Sequence, residues 1–357
     1  MSEAHIPGVA AALVDSGRVV WIGTYGFANV ASGERVTDST PLQIASVSKT
    51  ITATVLMTLY AAGRFRLDDD INRYLPFGVR NPKHPGAPIT FRQLMIHRSS
   101  IADNPKYYEP LWRQSNGDIT TPLDTYLRNY LTPKGRDYST ENFLDVAPGD
   151  TTVYCNTCYA LLGYLAQMIS GVPFAKLTDS VLFKPLGMRD THWFVRDFPP
   201  QRPPATPYRF VADSGFVAYG QNGYPDWPAG TLRTSIRDLS RFLAMYVNVG
   251  TADGKRVIPK RVVNTMAPHD LHMGFLTWWP FGVSTGEVLY RHNGGDNGVR
   301  TMMAFSATKK RGVIVLTNGE AAVDQLAGEL YVRMVQSLEK PQRMTRLSRH
   351  PTSSSRD

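Results

Sequence analysis

Strand-like apolar runs stand near both ends of this chain, and helical patterns, Pro/Gly loops and aromatic residues fill the stretch between. Val9 to Val14, a turn at Asp15-Ser16-Gly17, and Val19 to Ile22 read as a hairpin. Further strand patterns centre on Phe281, Val288 and Met302 and run from Val313 to Leu316. A final helix from about Val323 to Leu338 carries Leu326, Leu330 and Met334 at helical spacing. This order fits one sheet assembled from both ends of the chain, with a helical lobe inserted. The fold class is therefore α+β. The expected sheet lobe comprises residues about 1–66 and 229–338, and the helical lobe about 67–228, with a cleft between them. Residues 339–357, basic and rich in Ser and Arg, read as a disordered tail.

A chain of 357 residues can bury a sizeable core as one large domain or two small ones. No apolar run approaches the roughly 20 residues of a membrane-spanning helix. Two cysteines exclude a disulfide-rich scaffold. The net charge of +9 invites a nucleic-acid reading, but no recognition motif accompanies it. Five of the basic residues lie between Lys340 and Arg356 and the rest are scattered, so a solvated basic surface is the simpler account.

Chemistry enters at Ser46-Val47-Ser48-Lys49, which opens a helical pattern through Ile51, Val55, Leu56 and Leu59, expected to end near Ala62 with Gly63 as cap. A serine hydroxyl needs a neighbouring base to become a nucleophile. Residues three apart share a helix face, so Lys49 comes within reach of Ser46. The S-x-x-K spacing alone is weak evidence, because Ser306 to Lys309 and Ser337 to Lys340 repeat it. The first of these falls in a turn between two strands and the second at the end of the final helix.

Tyr154-Cys155-Asn156 precedes a second helical pattern, Tyr159, Leu161, Leu162, Leu165, Met168 and Ile169, closed by Gly171. A tyrosine near cations can serve as a general base, and an asparagine amide can bond Lys49 or a substrate carbonyl. Tyr246-Val247-Asn248 has the same spacing but sits at the C-terminal end of a helix. His292-Asn293-Gly294-Gly295 follows the strand-like Glu287 to Tyr290. Glycine there allows close backbone approach, so the N–H groups of Gly295 and Ser46 could hold an oxyanion. His84-Pro85-Gly86 and His272-Met273-Gly274 also fit H-x-G, without a preceding strand.

The ordered set S-x-x-K, Y-x-N and H-x-G resembles the class C beta-lactamase-like serine hydrolases, relatives of penicillin-binding proteins, for which S-x-x-K is a known signature. Leu94 to Ser100, Pro228 to Thr234 with Asp238-Leu239, and Gly312 to Gly319 extend the likeness over residues about 7 to 338. The resemblance implies a DD-peptidase-like fold: an antiparallel sheet flanked by helices. It implies Ser46 as nucleophile, Lys49 as proton acceptor, Tyr154 as general base, and Asn156, His292, Gly294 and Gly295 as substrate-side groups. No cofactor and no metal are implied, and the expected partner is a small ester, amide or peptide. His292 stands where many relatives place a lysine, so a substrate carboxylate loses a permanent cation. A DD-peptidase, a beta-lactamase and a binding protein that retains the fold without turnover are the rival readings. Relatives are mostly exported. The resemblance thus favours an extracytoplasmic location, but residues 1–5 lack a signal peptide's basic and apolar regions and the start looks shortened before Val9, which leaves the location open with a cytoplasmic one as alternative.

Other residues tempt different readings. Cys155 and Cys158 with His269 and His272 could be combined into a zinc site, but the two pairs are far apart in sequence and Cys155 fits better as the variable residue of Y-x-N, pointing near the site. Asp68-Asp69-Asp70 reads as a helix start. Trp278 and Trp279 could wall the substrate cleft or fill the core, since adjacent residues in a strand face opposite sides.

Overall fold

In a computed structural model, residues 4–114, 117–268 and 275–339 are described. The His269/His272 pair and the basic tail beyond Glu339 lie outside them. Seven strands form one antiparallel sheet: β1 (Gly8–Asp15), β2 (Arg18–Asn29), β3 (Glu34–Arg35), β4 (Trp279–Gly282), β5 (Val288–Asp296), β6 (Val299–Ser306) and β7 (Arg311–Thr317). Their order across the sheet is β4-β5-β6-β7-β1-β2-β3. The first strand is thus central, pairing with β7 from Val9↔Thr317 to Val14↔Gly312 and with β2 on its other side. The sheet is closed by its two chain ends, as the order of elements requires.

Because side chains alternate across a strand, β1 and its neighbours feed two cores. One face presents Val9, Ala11, Met302, Val313 and Val315 to the final helix, Asp324–Glu339, through Ala327, Tyr331 and Val335. The opposite face presents Ala10, Ala12, Met303, Ile314 and Leu316 to the larger helical core. Burial on both faces explains why β1 reads Gly-Val-Ala-Ala-Ala-Leu-Val as a continuous apolar run.

Two helices carry the motifs. The first, α1 (Ser48–Ala61), is preceded by one 3-10 turn, Ala45–Val47, that holds Ser46. The spacing of its apolar residues predicts an amphipathic helix from Ser46, whereas the structure buries every residue from Ser48 to Met57. Its threonines make this possible by bonding carbonyls: Thr50 to Val47 O, Thr52 to Pro228 O and Thr54 to Thr50 O, at 2.8, 2.7 and 2.6 Å. A buried hydroxyl with an acceptor costs little, so polar residues need not mark a solvent face. The second helix, α2 (Asn156–Ser170), packs on α1 and ends at Gly171 with φ +73°. Asp70 accepts Asn72 N at 3.0 Å and caps the short turn Ile71–Arg73. Trp278 is fully buried, and Trp279 is half-buried across from His97.

Candidate active site

Ser46 owes its position to a bend in the backbone. Ala45 takes φ +44°, a left-handed conformation that a side chain resists, and the chain then turns directly into α1. The turn is pinned from outside. Ile44 N donates to Leu232 O at 2.9 Å, and Thr301 Oγ1 of β6 donates to Ile44 O at 2.9 Å. Gly294 of β5 presses on the same place: a Cβ there would stand 2.5 Å from Ile44 O and 3.1 Å from Ala45 Cβ. Gly295 has no such neighbour, its nearest being the Arg300 guanidinium at 3.7 Å.

Lys49 is completely buried, yet its ammonium is fully bonded. Nζ donates to Ser46 Oγ at 3.0 Å, to Asn156 Oδ1 at 2.7 Å and to the Ala229 carbonyl at 2.8 Å. Three acceptors for three protons keep a charge tolerable in the core. Tyr154 is 43% exposed, its ring centroid 4.9 Å from Lys49 Nζ. Among the described residues its hydroxyl makes no hydrogen bond, so it is free to meet a substrate or the serine. Ser46, Tyr154, Asn156, Asn293, Gly294 and Gly295 line one cleft of about 610 Å³, joined by Arg300, Glu320 and Asp324 at its rim. β4 pairs with β5 only as far as Arg291, which leaves the edge of His292 to Asp296 open toward the turn that carries Ser46.

His292 does not reach that cleft. It lies on the buried side of β5, 2% exposed, with Nδ1 2.7 Å from Asn293 O. Burial, reinforced by the charge of Lys49, pushes its imidazole down to about 3. Asn293 is the exposed residue of the motif. Cys155 also differs from expectation: it is buried and disulfide-bonded to Cys158, so neither sulfur is a free thiolate.

Several residues here fall outside the three motifs. His97, at φ +58°, stacks on Tyr154 with centroids 4.4 Å apart, and its Nδ1 accepts Cys155 N at 3.1 Å. Burial and Lys49 push it down to about 2, so it stays neutral. Asp103 accepts four hydrogen bonds from the start of α2. Beside Ser46 a narrow recess is flanked by Asp226, which accepts from Tyr108 Oη at 2.5 Å, and Asp296, which accepts from Tyr224 Oη at 2.6 Å. Burial pushes both carboxyls up to about 6. These groups come together only through the fold, since their partners lie tens to hundreds of residues away.

The family model described as Beta-lactamase matches residues 1–335. The chain belongs to the beta-lactamase family. Its fold is that of the family's beta-lactamases and penicillin-binding proteins: the penicillin-binding protein homologue from Pyrococcus abyssi superposes with a TM-score of 0.78 at 22% identity, over 94% of this chain and 75% of that one. A D-stereospecific amidohydrolase from Streptomyces sp. superposes with a TM-score of 0.68 at 26% identity, over 91% and 93%. Protein flp of Staphylococcus aureus strain MRSA252 is 23% identical over 322 residues, 89% of this chain. This beta-lactamase-family chain spans 60% of the length of that relative. The family is one of beta-lactamase-fold serine hydrolases.

Proposed function

We propose that this protein is a serine hydrolase that works through an acyl-enzyme on carboxylic esters or small amides and peptides. The observation that carries the reading is the 3.0 Å contact of Lys49 Nζ with Ser46 Oγ, with the other two lysine donors held by Asn156 and Ala229. In this arrangement Lys49 donates to Ser46 and polarises the hydroxyl. Tyr154, on the open side of the cleft, is the group placed to take the proton, acting in its phenolate form, as Ser46 Oγ bonds the substrate carbonyl carbon. The resulting oxyanion is met by the N–H groups of Ser46 and Gly295. Collapse expels the alcohol or amine, which takes back the proton. Water then attacks the acyl carbon and gives a proton to the same base, which passes it to Ser46 Oγ as the acyl–oxygen bond breaks, freeing Ser46 and a carboxylic acid.

The test is labelling by a serine-directed fluorophosphonate together with hydrolysis of a p-nitrophenyl ester. Wild type should label and turn over, and Ser46→Ala should do neither while keeping its circular dichroism. Activity lost in Ser306→Ala or Ser337→Ala but retained in Ser46→Ala would remove the assignment.

A further inference from the structure

An asparagine amide has an accepting end and a donating end, and the motif Y-x-N does not say which faces the lysine. Lys49 can only donate, so a flipped amide would set N–H groups against an ammonium. Asp103 decides the matter. Its Oδ2 accepts both the Asn156 backbone N–H at 2.6 Å and Asn156 Nδ2 at 3.0 Å. Its Oδ1 accepts the Thr157 backbone N–H at 3.0 Å and Thr157 Oγ1 at 2.7 Å. Four donors fill the roughly four acceptor sites of a carboxylate, so Asp103 cannot turn either. The amide oxygen is left facing Lys49 at 2.7 Å.

We infer that Asp103 is a positioning residue for the proposed hydrolase. It acts through Asn156: it fixes the amide so that Lys49 keeps an acceptor there and stays aimed at Ser46. This rests on the serine-hydrolase reading above. A carboxylate at the start of α2 also stabilises the helix end, and that role alone would not distinguish Asn156 from Thr157.

The two roles separate in a double-mutant cycle. Ester kcat, the fluorophosphonate labelling rate and Tm are measured for Asp103→Asn, Asn156→Ala and the pair, with Thr157→Val as a capping control. Asp103→Asn should lower kcat and the labelling rate by about ten- to a hundredfold with KM changed little. In the Asn156→Ala background the same substitution should change neither by more than about twofold. Thr157→Val should lower Tm and leave kcat alone. If Asp103→Asn folds poorly, the swap Asp103→Asn with Asn156→Asp supplies the check. An aspartate at 156 presents an oxygen to Lys49 in either orientation, so the swap should regain most of the lost rate. Equal losses from Asp103→Asn with and without Asn156, or no recovery in the swap, would overturn the inference while Ser46 still labels. Failure of Ser46 to label in wild type would instead remove the hydrolase reading.

Discussion

Lys49 has no proton to spare and no acceptor to lose: each of its three hydrogen bonds fixes it against a different element, the serine turn, α2 and the Ala229 loop. Its role and that of Tyr154 should therefore be inseparable. Lys49→Ala and Tyr154→Phe should each cut ester turnover by about a hundredfold or more. The double variant should fall far short of the product of the two losses. Strictly multiplicative losses in steady-state kinetics would show that they work apart.

His292 makes a separate statement, about stability. Unfolded, its imidazole gains a proton near the ordinary 6.5, but folded it resists until about 3. Between those values the unfolded chain binds more protons, so stability falls as the pH drops through that window. The advantage of wild type over His292→Asn, measured by urea unfolding, should hold above pH 7 and shrink below 6.5 by up to about 1.4 kcal/mol per pH unit. A constant advantage down to pH 4 would mean the ring is accessible and charged. The same neutrality bears on substrates. With His292 neutral and buried, and with Arg291 of β5 paired to Asp324 at 2.7 Å, Arg300 is the one unpaired cation among the described residues of the cleft and stands with Glu320, so a carboxylate-bearing beta-lactam finds little net charge to bind. Short-chain p-nitrophenyl esters should be turned over at pH 7–8 and nitrocefin poorly, with no gain for nitrocefin on acidification to pH 5.5. Efficient nitrocefin hydrolysis with weak ester activity would reverse that preference.

Between elements, the contact that matters most is β5 against the serine turn. Gly294 and Gly295 are neighbours in sequence but not in tolerance. An added methyl at 294 collides with Ile44 O at the turn and with Thr301 Oγ1 of β6, whereas at 295 it meets only a flexible arginine. Gly294→Ala should lose about 1–3 kcal/mol of stability and nearly all ester activity, since the backbone of Ser46 must move to make room. Gly295→Ala should keep the stability of wild type in the same melts. Equal Tm values for the two variants would show that β5 does not brace the turn.

The same contact marks the boundary of what the sequence reveals. α2, the β1–β2 hairpin and the final helix follow from apolar spacing and punctuating glycines, which are local signals. The strand that carries His292 to Asp296 follows only as the continuation of the strand-like Glu287 to Tyr290, because two consecutive glycines give no strand signal of their own. It is sustained by ladder pairing with β6, from His292↔Met303 to Asp296↔Val299. S-x-x-K and Y-x-N could be singled out because each opens a helix. Asp103 could not, since its partners at 156 and 157 lie more than 50 residues away and no spacing rule joins them.

For the molecule as a whole, acid acts in two directions at once. His97 and His292 favour folding less as the pH falls below 6.5. Asp226 and Asp296, raised to about 6 from an ordinary 3.8, take up protons first in the folded state and favour it more as the pH falls from 6 toward 4. The opposed windows overlap, which flattens the stability of the whole chain where single variants would show slopes.

The central place of β1 also sets a schedule. Residues 9–14 leave the ribosome before their partners on one side, residues 312–317, which are made roughly 300 residues later. At about 5–20 residues per second that interval is about 15 to 60 s. Throughout it a strand buried on both faces in the finished sheet has β2 as its one sheet neighbour. Neither core can close, because each is lined by residues from both ends. The cleft is therefore completed well after its serine is made: the β5 edge that braces Ser46 follows it by roughly 250 residues, and until then the nascent chain holds the proposed nucleophile without the means to use it.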